Sequence, residues 1–294
     1  MDWLAFAVLT AVFDSLKNLV SKRGLLSTDE YVVAWASRFF ALPLLIPVLF
    51  LIEQPTLGDR FWLLLPLITT IQVVANILYF RAIKVADLSL TIPMLALTPL
   101  FLIVVSPVII NEVLQPLDIL GVVLITVGTY WLNLKPMDSK YKPAWQGYLA
   151  PIQGLWQHQG TRIMLLVSFF WSLLSTLNKA GIQQSSPLFW PLANSICLAI
   201  ALCLIMLLKS RDIPKQLRLN WPSLLLVGLF QGLVLLCFMK ALSLTLVARA
   251  VGVKRLSILF SILIGYWFFQ EKGTCQRFMA ASIMLLGVMV MTLT

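Results

Sequence analysis

Ten mostly apolar runs, each of about 20 residues, follow one another along this chain, and they limit its fold more than any other feature. An α-helix crosses the roughly 30 Å hydrocarbon core of a bilayer in about 20 residues. With no water there, every backbone N–H and C=O must find its partner within the segment, so such runs read as helices. They lie near 3–21, 31–52, 61–80, 88–110, 115–134, 161–180, 187–208, 219–239, 246–269 and 275–293. Hydrophobic residues make up 60% of the chain and charged ones 12%, against roughly 25% in soluble domains. The expected fold class is an all-α membrane protein with ten transmembrane helices, multi-pass in the plasma (inner) membrane. Its net charge of +10 is spread over connections rather than gathered on one face, which points to cytoplasmic loops and away from nucleic acid.

The cysteines (Cys197, Cys203, Cys237, Cys275) fall in or beside apolar runs without metal-site spacing and read as small buried hydrophobes. The first run lacks a basic start and a small-residue cleavage site, so a cleavable signal peptide is not expected. Trp3, Trp62, Trp131, Trp190 and Trp221 stand near span ends, as interfacial anchors do. His158, the only histidine, sits at the end of the longest connection, 135–160, and reads as a solvated loop residue.

Charge inside a span is the second strong signal. The run around 246–269 carries Arg249, Lys254 and Arg255. A helix starting near Leu246 would put Lys254 about 12 Å deep at 1.5 Å per residue. A cation at the bilayer centre costs at least ~2.5 kcal/mol and by default marks a solute path. Lys254, Ser257 and Ser261 follow at i, i+3 and i+7, and Arg255 lies about 100° round from Lys254. The competing reading has both cations holding helices together through backbone carbonyls. Further polar stripes join this one: Thr10, Asp14, Lys17 and Ser21 with Asn18; Thr69, Gln72, Asn76 and Tyr79; Ser168, Trp171, Ser175 and Asn178; and Gln231. Each stripe alone could be interhelical hydrogen bonding. Together with buried charge they point to a polar cavity that binds a small molecule. Asp14 and Lys17 are placed to neutralise each other, which leaves Lys254 and Arg255 to favour a negative solute.

The two halves of the chain match. Residues 62–134 lie over 221–293 without a gap: Trp62 on Trp221, Gln72 on Gln231, Phe101 on Phe260, Glu112 on Glu271, Gly128 on Gly287. The first spans match as well, Phe13 with Phe170 and Lys22 with Lys179. With five spans in each, the repeats would insert with opposite topology, a transporter signature that places the substrate site at their interface. The expected organisation is a first repeat over 1–134, a cytoplasmic connection over 135–160 and a second repeat over 161–294. Of the 22 Lys and Arg, 14 fall on connections of one side and three on the other, so both termini are expected to face away from the cytoplasm.

The doubled layout, the TPLFLIVVSPVIINE run at 98–112, the matching SILFSILIGYWFFQE run at 257–271, and Gly128 with Gly287 resemble the drug/metabolite transporter superfamily in its EamA branch. The resemblance covers almost the whole chain. It implies alternating access by two five-helix halves, in which the first, third and fourth helices of each half line the cavity. Adjacent Lys254 and Arg255 also resemble the pair that binds substrate phosphate in plastid triose-phosphate translocators; where those carry a further lysine in span four, this chain has Leu95. The small multidrug exporters use a first-span carboxylate for protons and cations, and Asp14 is placed similarly, with Lys17 one turn on. The leading expectation is therefore a secondary active transporter of a small anionic or amphipathic organic metabolite. The alternative is a proton-coupled exporter of cationic compounds through Asp14, and a third reading is a non-transporting membrane component. No phosphate loop, metal cluster or Ser–His pair suggests an enzyme, and no cofactor is called for. Glu112 and Glu271, ending spans four and nine, suggest helix-end packing or a gate rather than catalysis.

Overall fold

The computed structural model describes residues 2–24, 28–50, 56–85, 94–133, 158–260 and 275–293. Among them all regular structure is helical. The helices are α1 (Asp2–Gly24), α2 (Glu30–Phe39), α3 (Leu42–Leu45), α4 (Phe61–Val85), α5 (Thr98–Ile110), α6 (Pro116–Asn133), α7 (Gln159–Gln183), α8 (Phe189–Lys209), α9 (Ile213–Leu244), α10 (Val247–Lys254) and α11 (Cys275–Thr292). Stretches of α1, α4, α7, α8 and α9 are long and apolar enough to cross a membrane; α5, α6 and the Met279–Thr292 part of α11 are shorter and apolar.

Two of the expected spans are interrupted. The second divides into α2, α3 and a 3₁₀ turn at Pro47–Phe50. Pro43 and Pro47 explain this, since a proline has no N–H to give the carbonyl four residues back and its ring crowds that carbonyl. The ninth is helical to Lys254 and then tightens, with Arg255 N–H bonding to both Gly252 O (3.0 Å) and Val251 O (3.3 Å) before helix resumes at 257–260. The stripe of Lys254, Ser257 and Ser261 therefore does not run along one unbroken helix. Ser261, like Glu271 and most of 135–160, lies outside the described residues.

Two compact units draw on both halves of the sequence. The first comprises Met1–Val73, Leu177–Thr245 and Leu256–Phe269, the second Val74–Thr176, Leu246–Arg255 and Gln270–Thr294. In the first, α1 packs along α9, and α2 packs against α8 and α9. Val32, Val33 and Ala36 of α2 meet Met206, Leu224 and Val227 there. Trp190 is an exception to the expected anchors. It is fully buried, Asn178 accepts its Nε1–H at 2.8 Å, and its ring covers Gly181. Its indole N–H found a partner inside the protein, as a buried Trp requires. Trp62 and Trp221, by contrast, are 70% and 58% exposed.

In the second unit α6 and α11 are in close contact. A Cβ on Gly121 would lie 2.7 Å from Gly287 O, and one on Gly287 would lie 2.8 Å from Gly121 O. Between helices in lipid, where no hydrophobic force drives association, such backbone approach supplies the van der Waals contact. Gly287→Val should force the pair apart and destabilise the protein by about 1–3 kcal/mol. A detergent-solubilised variant with an unchanged unfolding midpoint would contradict this packing.

Candidate functional site

The span with half-buried cations is organised around two carboxylates in the second unit. α10 begins at Val247 after the N-cap residue Leu246, whose side chain cannot accept a hydrogen bond. Glu112 caps the helix instead, and both its oxygens accept from Val247 N–H, at 3.2 and 3.0 Å. A carboxylate here satisfies an orphan N–H and meets the positive end of the helix dipole. Glu112 follows Asn111, which closes α5 in the left-handed conformation that Asn tolerates (φ 53°).

In the first turn of α6, Asp118 is fully buried. Its Oδ2 accepts Gln115 N–H at 3.0 Å, which holds the carboxylate at the start of its own helix. Arg249 then grips it with both arms, Nε to Oδ1 at 2.5 Å and Nη2 to Oδ2 at 3.0 Å. This fork-to-fork pair fixes direction as well as distance. Further along α10, Gly252 lets the helix approach Ile125 and Met291. Beyond its end, Arg255 Nη2 donates to Leu95 O at 3.1 Å. Arg255 therefore does hold a backbone carbonyl, as the competing reading of the cations expects, and Leu95 is the repeat counterpart of Lys254. Lys254 closes the helix and is half-buried. Thus α10 is held at its first turn by Glu112 and Asp118 and beyond its last residue through Arg255.

The same unit holds Asn76, Trp171 and Ser175. The Tyr79 and Trp171 rings lie 5.5 Å apart, and both pack onto a core of Ala82, Met94, Met164 and Val167. Ser175 Oγ donates to Trp171 O at 2.8 Å, and Asn76 is half-buried on α4. The first unit holds Asp14, Lys17, Asn18, Gln72, Gln231 and Ser257. Lys17 Nζ lies 2.6 Å from Asp14 Oδ1, and Asn18 Nδ2 lies 3.4 Å from Oδ2, so the expected neutralisation is made within α1. Asn194 reaches Gln72 at 3.4 Å; Gln231 and Ser257 are buried.

Several stripe members serve the helices. The hydroxyls of Thr10, Thr69 and Ser168 donate to carbonyls three or four residues back in their own helices. This is how a hydroxyl is satisfied where there is no water. Asn178 receives Trp190. Sequence reasoning placed Glu112 at a helix end but gave Asp118 no role. The signal for it was an acid three residues after Gln115, at the start of an apolar run, in a chain with buried cations to match.

Removing one partner of a buried pair leaves an uncompensated charge and typically costs about 3–5 kcal/mol. Asp118→Asn should therefore lower the unfolding midpoint strongly, while Asp118→Leu combined with Arg249→Met should recover most of the loss. An Asp118→Asn protein as stable as the parent would sink the clamp.

The fold is shared with a crystal structure of another protein, at a TM-score of 0.72 and 15% sequence identity, over 99% of this chain and 96% of that one. At that identity the likeness speaks for the fold alone. No curated protein matches the chain. The EamA-like transporter family matches residues 1–134 and again 159–293, one copy over each half. The carboxylates and cations described above thus belong to a transporter rather than an enzyme, and to a protein that sits in the bilayer and handles a small molecule. The chain belongs to the EamA-like transporter family, of the drug/metabolite transporter type.

Proposed function

We propose that the protein is a secondary active carrier of a small organic anion or amphipathic metabolite, with Lys254 and Arg255 contacting its negative group. The carrier works by alternating access, with ten transmembrane helices arranged as two inverted five-helix repeats. These are residues 1–134 and 161–294, joined by a cytoplasmic connection over 135–160, in the plasma (inner) membrane. Ser257, Ser261, Asn18, Gln72, Asn76, Trp171, Ser175 and Gln231 complete the proposed binding surface. The observation that carries the reading is the seating of α10. Two carboxylates hold its first turn in place, and it ends on two adjacent cations deep in an apolar run. A helix so anchored presents its terminal charges in a fixed place, which binding requires.

The alternative, proton-coupled export of cations through Asp14, is disfavoured by the Asp14–Lys17 pair. The Lys17 ammonium already balances the carboxylate's charge and repels a cationic guest.

A metabolite library screened by thermal shift should yield an anion that stabilises the purified protein, since a bound ligand raises apparent stability. In proteoliposomes, Lys254→Ala and Arg255→Ala should each abolish transport of that anion without loss of fold. In the same assay, Asp14→Asn with Lys17→Met should transport better than either single change. Normal transport by both cation variants would overturn the site. If Asp14→Asn alone kept exchange but lost its response to a pH gradient, the alternative would stand instead.

The charge asymmetry places both termini away from the cytoplasm. Alkaline phosphatase fused after Thr294 should be active and green fluorescent protein dark. The reverse pattern would contradict this orientation.

A further inference from the structure

A further basic group lies in an apolar run of the first unit. Arg38 stands in the last turn of α2. That helix starts beside the beginning of α9, where Asp29 N–H donates to Gln216 Oε1 and Gln216 Nε2 donates to Asp29 Oδ2, each at 2.8 Å. Arg38 follows Glu30 by eight residues, about 12 Å along a helix. Two residues further on, Phe40 occupies the space that a side chain on Gly228 would need. Gly228 is half-way along the 32-residue α9. Arg38 thus stands in the last turn of α2, close to the level of the middle of α9.

Its Nη1 is cut off from solvent and has no hydrogen-bond partner among the described residues. Earlier in α2, Val32, Val33 and Ala36 pack with Met206, Leu224 and Val227 in a hydrophobic cluster. Two carboxylates of this unit are engaged elsewhere, Asp14 by Lys17 and Asn18, Asp29 by Gln216. A guanidinium keeps its proton and presents five donors in a fixed fork. With a solvent-excluded N–H that finds no acceptor among the described residues, such a group is costly unless an anion from outside the chain offsets it.

We propose that Arg38 is an anion-binding side chain that takes a carboxylate or phosphate through paired N–H···O bonds. The anion comes either from a soluble solute or from an anionic lipid headgroup. The solute case rests on the reading of the protein as an anion carrier; the lipid case does not.

The test uses the purified full chain in neutral detergent and a zwitterionic buffer, with sodium phosphate and sodium succinate as soluble probes. Nanodiscs of phosphatidylcholine, with and without phosphatidylglycerol, supply the lipid probe. At least one probe should raise the unfolding midpoint of the parent protein. Arg38→Met should weaken the apparent affinity for that probe by about tenfold or more, the equivalent of removing about 1.4 kcal/mol. Arg38→Lys, which keeps charge but loses the fork, should fall between. The Lys254→Ala, Arg255→Ala double variant should keep the Arg38-dependent rise, which separates this site from the one on α10. A rise with phosphate or succinate identifies a soluble anion, and a rise with phosphatidylglycerol alone identifies the headgroup. If no probe raises the midpoint, or if Arg38→Met responds as the parent does, the proposal is wrong. If Arg38→Met fails to fold, Arg38→Lys decides: an affinity equal to the parent's would overturn the fork-bound anion.

Discussion

Backbone groups placed where water is absent must find partners within the protein, and most of this structure answers that demand. The long helices satisfy their own ladders. Where a ladder is cut, another group steps in. At α10 the orphan N–H of Val247 is met by Glu112, because the cap residue Leu246 cannot do it. At α6 the Gln115 N–H is met by Asp118. Below these, Leu95 O accepts Arg255. Side-chain hydroxyls behave the same way, turning back onto carbonyls of their own helices rather than facing lipid.

Charge obeys a stricter version of the same rule. Asp118 lies where an isolated carboxylate would be prohibitively costly, and three donors compensate it. Arg249 is the largest of these, and through it the start of α6 sets the position of α10. The two charged groups therefore do not simply cancel. They convert the placement of one helix into the placement of the next, and the cations after Arg249 inherit that position. Asp14 and Lys17 differ, since both lie on α1 and their ion pair is made within that one helix.

The compact units cut across the sequence repeats. Helices of one half pack on helices of the other: α1 on α9, α2 on α8, α6 on α11. Repeat counterparts therefore do different work. Lys254 closes α10, whereas its counterpart Leu95 gives its carbonyl to Arg255 and packs its side chain against the core of Met94 and Met164. A doubled sequence has become an assembly in which each unit is built from both copies.

The sequence by itself determined the helical class, the doubled family layout and the Asp14–Lys17 pair. All three rest on local information: apolar length, residue spacing, and a contact three residues apart on one helix. It also marked Pro43 and Pro47, but not that they would split the second span, since prolines are often accommodated in membrane helices. Only the tertiary structure decided which polar groups meet across helices. Asp118 reaches Arg249 over 131 positions of chain, Glu112 reaches Val247 over 135, and Trp190 leaves the interface for Asn178. Helical periodicity says which face a side chain occupies, not which helix that face will meet. That choice depends on how closely backbones can approach, as at Gly121 and Gly287, and on which buried donor finds an acceptor there.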